Sequence, residues 1–279
     1  MDETPPLTQA PARKALGQHF LFDPDILQRT ATAAGDPAGR AVIEVGPGPG
    51  GLTRALLDAG AQPLIVVEAD PRFAEALRGW PEAAKGRLVV IEGDARKVNL
   101  AAALAEAKAE LPAMIVANLP YNVGTPLLVD WLKAGDWRGE MALMFQKEVA
   151  QRICAAPGER HYGRLAVLSQ AVCACHIAFT LPPGAFRPPP KVDSAVAVLR
   201  PLAPKNRFED LQTLERVSAA AFGQRRKMLR AALKSLAKQH GIAVEDWLET
   251  ASIEPTARAE TVDQAGFRRL AQALVSLGG

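Results

Sequence analysis

Short apolar runs and amphipathic stretches alternate through the first half of this chain. The runs fall at residues 41–45, 64–68, 88–91, 114–117 and 141–145, with helical patterns between them at 52–59, 72–77 and 126–132. Continuous apolar runs of this length read as strands buried on both faces, and their alternation with helices predicts a parallel sheet covered on both sides. Two further runs, 172–181 and 192–199, flank a Pro-rich segment at 182–190. They read as an antiparallel hairpin at the end of the sheet. Pro201 and Pro204 then mark a change of character, and the remainder is helical in pattern with no convincing strand. The organisation predicted is a disordered tail over 1–12, rich in Pro, Thr and acid, an α/β domain over 13–202 and a small all-helical domain over 203–279.

Composition narrows the picture. At roughly 150 residues per domain, a chain of 279 residues suggests two domains, or one large domain with an appendage. A hydrophobic fraction of 48% excludes wholesale disorder. Three cysteines exclude a disulfide scaffold and suit a reducing compartment. No apolar run approaches the ~18 residues of a membrane helix, and the first residues lack the apolar core of a secretory signal. The expectation is a cytoplasmic protein with no membrane partner. The net charge of +3 says little until the charges are located.

The first strand runs into Gly46-Pro47-Gly48-Pro49-Gly50-Gly51 and then a helix. Glycines such as Gly46 and Gly48 let the backbone turn tightly and approach a ligand. Glu68 ends the second strand, where a carboxylate accepts hydrogen bonds from the ribose hydroxyls of a nucleoside. Asp94 ends the third. All lie at the carboxyl edge of the predicted sheet, where open α/β folds bind ligands. A dinucleotide and S-adenosylmethionine both satisfy these features. Glu44, two residues before Gly46, favours S-adenosylmethionine, because an acid there faces a cationic amino-acid moiety. The prolines in the loop also depart from a dinucleotide fingerprint.

The fourth strand ends in Asn118-Leu119-Pro120-Tyr121. An exocyclic adenine amine is a poor nucleophile because its lone pair is delocalised into the ring. A site that methylates it needs acceptors for the N–H groups and an aromatic face for the base. Asn118 offers a side-chain carbonyl, Pro120 stiffens the turn so that backbone carbonyls point in fixed directions, and Tyr121 offers the ring.

With these motifs in place the chain resembles the ribosomal RNA adenine N6-dimethyltransferases, the family of the kasugamycin-resistance methyltransferase and the Erm enzymes. The resemblance runs from Arg13 to about Leu274. Its landmarks are Gly17-Gln18-His19-Phe20-Leu21, Glu44-Val45-Gly46-Pro47-Gly48, Asn118-Leu119-Pro120-Tyr121, Gln146-Lys147-Glu148-Val149, Tyr162-Gly163-Arg164-Leu165, the stretch from Phe186 to Ser194, and Phe222-Gly223-Gln224-Arg225-Arg226-Lys227. It implies a Rossmann-like α/β methyltransferase domain with a C-terminal helical domain, S-adenosylmethionine as methyl donor and rRNA as substrate. The donor site it implies comprises His19, Leu21, Gly46, Glu68, Asp94 and Asn118, with Glu68 on the ribose and Asp94 on the cofactor's adenine amine. Many members carry Asn where this chain has His19. Imidazole also donates a hydrogen bond. The resemblance further places a second aromatic, Phe186, against the face of the base opposite Tyr121.

Cys173-Ala174-Cys175-His176 lies in a predicted strand, where neighbours point to opposite faces and no fourth ligand is evident, so no metal is expected. Cys154 has no evident His partner, and His161, His176 and His240 form no catalytic dyad. From Phe222 to Gln239 there are six bases and no acid: Arg225, Arg226, Lys227, Arg230, Lys234 and Lys238. Read as one helix, Arg226, Arg230, Lys234 and Lys238 form a stripe, with Phe222, Leu229, Leu233 and Leu236 turned to the core. Like charges at that spacing repel, and an RNA phosphate backbone relieves this. Arg13 and Lys14 add to the basic face.

The function expected is N6,N6-dimethylation of two adjacent adenosines near the 3′ end of 16S rRNA, by a monomer acting on the small subunit or its precursor. The alternatives are an assembly or checkpoint factor whose RNA binding matters more than methylation, and an Erm-type enzyme acting on large-subunit rRNA. An NAD oxidoreductase is remote, since no proton-relay residue is visible.

Overall fold

A computed structural model describes residues 18–278. The tail assigned to 1–12, and Arg13, Lys14 and Gly17, lie outside the described residues. The strands are β1 (Phe20–Leu21), β2 (Val42–Val45), β3 (Leu64–Glu68), β4 (Leu88–Glu92), β5 (Ala113–Asn118), β6 (Arg138–Gln146), β7 (Cys173–Leu181), β8 (Phe186–Arg187) and β9 (Ser194–Pro201). Seven of them form one sheet in the order β4-β3-β2-β5-β6-β9-β7. Strands β2 to β6 pair in parallel, and β9 runs antiparallel beside β6 with Gln146 opposite Ser194. All five predicted parallel strands are present. The two later runs become neighbours in the sheet, β9 being inserted between β6 and β7.

Strands β2 and β3 are buried at every position, as continuous apolar runs between helical layers require. The helices start where the sequence supplies caps. Asp23 accepts from the Asp25 and Ile26 N–H groups before Pro24–Ala31, Asp70 from Arg72 before Pro71–Arg78, and Asn99 from Ala102 before Leu100–Glu106. The helix Gly51–Asp58 instead starts from Gly50 at φ +87°. A Cβ at Gly50 would lie 2.8 Å from the Trp80 ring, so glycine is required twice over. The core beneath the site joins Leu27, Leu56, Val66, Val116, Met144, Phe186 and Val196.

The Pro-rich connection is more ordered than a plain hairpin loop. It makes a 3-10 turn at Pro183–Ala185 and then β8, which pairs antiparallel with β1: Phe20 opposite Arg187 and Leu21 opposite Phe186.

The chain divides into two compact units, one formed by the described residues up to Ala150 with His176–Arg200, the other by Gln151–Cys175 with Pro201 onward. Sequence patterning places a single cut at 202/203, so segment 151–175 groups differently. The reason is local packing: the helix Arg164–Gln170 packs on Leu211–Gly223 and on Gln264–Gly278. Within this unit Tyr162 and Trp247 are fully buried, their polar atoms donating to the Val262 carbonyl at 2.9 Å and the Leu270 carbonyl at 2.8 Å. Phe222 stacks on Phe267.

The basic segment corrects the expectation of one helix. The helix Leu211–Gly223 ends at Gly223. Residues 224–228 form a turn whose Met228 bridges to Arg258, and two short helices follow, Leu229–Ala232 and Lys234–Gln239. Glycine is a poor helix former and a common terminator, and the helix ends at Gly223, before the first of these bases. Arg226 therefore does not share a helix with Arg230, Lys234 or Lys238. Among the described residues no helix is long and apolar enough to cross a membrane.

Candidate functional site

The strand order reverses at β2, which has β3 on one side and β5 on the other. Connections leaving the carboxyl ends of β2 and β5 diverge to opposite sides and open a crevice there. A cavity of about 370 Å³ occupies this position, within the ~300–1,000 Å³ of small-molecule sites. Its lining includes His19, Leu21, Glu44, Gly46, Gly48, Glu68, Asp94, Asn118, Leu119, Pro120 and Tyr121. Every residue predicted for the donor site thus reaches one cavity.

Local geometry explains the glycines. Gly46 and Gly48 have φ of +70° and +54°. A Cβ at Gly48 would lie 2.6 Å from the Phe20 ring, and one at Gly46 would lie 3.4 Å from Pro120 Cδ. The loop is therefore closely packed between β1 and the turn after β5, and its backbone faces the cavity. The Gly46 N–H donates to the Val67 carbonyl at 2.9 Å, tying the loop to β3.

Two carboxyls are buried here. Glu68 accepts from the Gly48 N–H at 2.9 Å on one oxygen and from the Asp70 N–H at 2.8 Å on the other. Burial raises its pKa, opposed by those two N–H groups. Glu44 is 1% exposed and accepts from the Thr53 hydroxyl at 2.7 Å. Burial, with a smaller push from the Glu68 charge, raises it to about 8 against the pull of Thr53. Asp94 differs, being partly exposed and gripped by the Arg96 guanidinium at 2.9 and 3.3 Å, which holds it below its ordinary range.

The turn after β5 is fixed from outside. Asn118 Nδ2 donates to the His19 carbonyl at 3.0 Å, which leaves Oδ1 as the acceptor of that amide. The Tyr121 hydroxyl shares a 2.7 Å hydrogen bond with Ser194 Oγ. The His19 ring stacks on Tyr121 with centroids 5.4 Å apart and planes at 27°, and its Nδ1 donates to the Pro188 carbonyl at 2.7 Å.

Phe186 corrects the sequence reading. It is 2% exposed, sits in the core opposite Leu21 and does not line the cavity. Its alternation within β8 turns it inward while Arg187 is exposed. The ring beside Tyr121 is His19. The predicted RNA contacts Arg225, Arg226, Lys227, Arg230, Lys234 and Lys238 are all exposed, and Leu229, Leu233 and Leu236 are buried as expected, with Phe222 half-buried. Arg225 bonds Glu260 at 3.0 Å and the Arg160 carbonyl at 2.7 Å, so its charge is already paired. Among the described residues no cluster of His, Cys, Asp or Glu is arranged to hold a metal.

Sequence reasoning missed Phe20, Thr53, Arg96 and Ser194. Phe20 and Ser194 lie inside recognisable motifs, but no spacing rule assigns them a task.

A parallel sheet with one inserted antiparallel strand, a glycine turn over two buried acids and an Asn-Leu-Pro-Tyr turn on the next strand together define a Rossmann-like methyltransferase. The chain matches the ribosomal RNA adenine dimethylase family over residues 10–274, and it belongs to that family. A ribosomal RNA small subunit methyltransferase A of Gluconobacter oxydans is 54% identical over 94% of this chain and 82% of its own length. The protein of the same name from Caulobacter vibrioides is 52% identical over 96% of this chain and 98% of its own. Among solved structures, a dimethyladenosine transferase from Plasmodium falciparum superposes with a TM-score of 0.76 at 26% identity, covering 93% of this chain and 98% of that one. The 23S rRNA methyltransferase ErmE gives 0.67 at 26% identity, covering 92% and 99%.

Proposed function

We propose that this enzyme transfers methyl groups from S-adenosylmethionine to the N6 amines of two adjacent adenosines near the 3′ end of 16S rRNA, in the small subunit or its precursor, as a cytoplasmic monomer. The observation that carries the reading is the fixed Asn118 amide: with Nδ2 held by the His19 carbonyl, its oxygen is the free acceptor beside the Tyr121 ring. The names of the close relatives favour the small subunit over the large one.

The residues present fit the donor. Glu68 would hold its ribose hydroxyls, Glu44 lies ready for a cationic group, Asp94 would take its adenine amine, and His19, Leu21, Gly46 and Gly48 would enclose it. S-adenosylmethionine supplies an electrophilic methyl on a sulfonium. The remaining work belongs to the protein. Tyr121 would stack on a flipped adenine, while Asn118 Oδ1 and the Leu119 carbonyl would accept its two N–H bonds. Those acceptors draw the amine nitrogen toward a tetrahedral shape and free its lone pair. Pro120 stiffens the turn that aims them. Their pull grows as positive charge develops on nitrogen, so they act mainly in the transition state. The proton then leaves to water, and no general base is needed. The monomethylated amine keeps one N–H and a nucleophilic nitrogen, so the site acts twice. In the second unit Arg226, Lys227, Arg230, Lys234 and Lys238 are exposed, and they would contact RNA phosphate. Phe186 is assigned no contact with the base.

Incubating the enzyme with methyl-labelled donor and unmethylated small subunits, then mapping the modified bases, tests this. Two adjacent N6,N6-dimethyladenosines near the 3′ end are expected. Label confined to large-subunit rRNA would overturn the small-subunit assignment. Undiminished growth complementation by an inactive Asn118 variant would shift the weight to an assembly role.

A further inference from the structure

Tyr121 sits in an irregular turn, half-buried, so no strand ladder fixes where its ring lies. Two contacts do: the His19 ring against its face and Ser194 at its hydroxyl. Both trace to one stretch of chain, because Pro188 holds His19 through its carbonyl and Ser194 follows shortly after. Ser194 is fully buried and is the first residue of β9, opposite Gln146 of β6. The entry to β9 is fastened twice more. The Lys147 N–H donates to the Asp193 carbonyl at 2.9 Å, and Lys147 Nζ lies 3.3 Å from the Asp193 carboxylate. The Ser194 hydroxyl is therefore a stationary point on the rigid sheet, and the Tyr121 hydroxyl is tethered to it at 2.7 Å.

We propose that Ser194 is a positioning residue for methyl transfer: through the Tyr121 hydroxyl it sets the depth and plane of the ring on which the target adenine rests. The proposal rests on Tyr121 being that ring. Tyr121 and Asn118 stand on the same turn, so a ring that slides carries the base away from the Asn118 acceptor. Small displacements from attack geometry are costly in rate. The Tyr121 hydroxyl has no chemical task in this scheme, and its use is to be held.

The test is a double-mutant cycle on single-turnover methyl transfer to small subunits, at saturating donor and RNA. Ser194→Ala and Tyr121→Phe delete the same hydrogen bond from opposite ends while keeping strand and ring. Each is expected to slow transfer roughly tenfold with donor affinity unchanged. The double variant should be no slower than either single, and Ser194→Thr should recover most of the rate. If Ser194→Ala proves too unstable, Tyr121→Phe alone still decides, since a full wild-type rate would overturn the proposal. Losses that multiply, or a Ser194→Ala defect lying wholly in donor or RNA affinity, would also overturn it. A wild-type enzyme that leaves adenosine N6 unmodified would overturn the functional reading itself, and this proposal with it.

Discussion

A donor-binding role for the buried Glu44 carboxyl predicts a calculable pH dependence. Its pKa is raised from 4.5 to about 8, chiefly by burial. If the donor's positive charge is received by the ionised form, affinity follows the ionised fraction. That fraction is about one-tenth at pH 7, one-half at pH 8 and nine-tenths at pH 9, so affinity should climb roughly fivefold over the first unit and about twofold over the second. Binding at pH 7 should then release ~0.9 proton per donor, since the bound carboxyl stays ionised. Calorimetry in two buffers of different ionisation enthalpy reads the proton directly. Glu44→Gln should abolish both the proton release and the fivefold climb. The sign for folding follows from the same shift. Between pH 4.5 and about 8 the folded chain holds a proton that the unfolded chain has lost, so this group's contribution to stability falls as pH rises through that window. Denaturant midpoints should decline less steeply with pH in the Gln variant. Equal pH profiles for wild type and Glu44→Gln, with no buffer-dependent heat, would refute the assignment.

Asn118→Ala removes one preorganised acceptor, so single-turnover transfer should fall by ~10²–10³, whereas a near-normal rate, or a defect confined to donor affinity, would exclude it as the amine acceptor. Glu68→Ala deletes a carboxylate held by two backbone N–H groups; charge-assisted hydrogen bonds are worth ~1.5–3 kcal/mol, so donor affinity should drop tenfold or more by calorimetry. Arg226→Glu with Arg230→Glu should weaken RNA binding, flatten its salt dependence and leave donor affinity alone; an unchanged salt slope would make these residues a solvated surface.

The parts of this protein most legible in the sequence are those where a residue type is demanded by geometry or by ligand chemistry. Five buried strands announce themselves as apolar runs, and the positive φ at Gly46 and Gly48 is a demand that glycine meets without strain. What was not legible arises from contacts distant in the chain. Strand β1 is two residues long and exists because β8 pairs with it, so neither has a periodicity to detect. Phe186 reads as a loop aromatic, and only the register opposite Leu21 shows that it points into the core. The basic segment reads as one helix because spacing by four survives the break at Gly223, whose neighbours continue in a turn anchored to Arg258. The 151–175 segment follows the α/β pattern in sequence and packs with helices that come much later.

The candidate site divides along the same line. Asn118, Tyr121 and Glu68 are named by chemistry, because an amine, a base and a ribose each call for a particular side chain. Their supports are not. Asn118 is held by a carbonyl 99 positions away, and Tyr121 by a hydroxyl 73 positions away. Any residue offers a carbonyl, and serine is common, so nothing at His19 or Ser194 declares the task in advance. Fixed orientation nevertheless decides how much an acceptor contributes to the transition state, since an amide free to rotate must first be brought into line. On this proposal a chain that kept Asn118-Leu119-Pro120-Tyr121 and lost Ser194 would retain the reacting turn with a slower reaction, which makes turnover, and not the presence of that turn, the property that these supports govern.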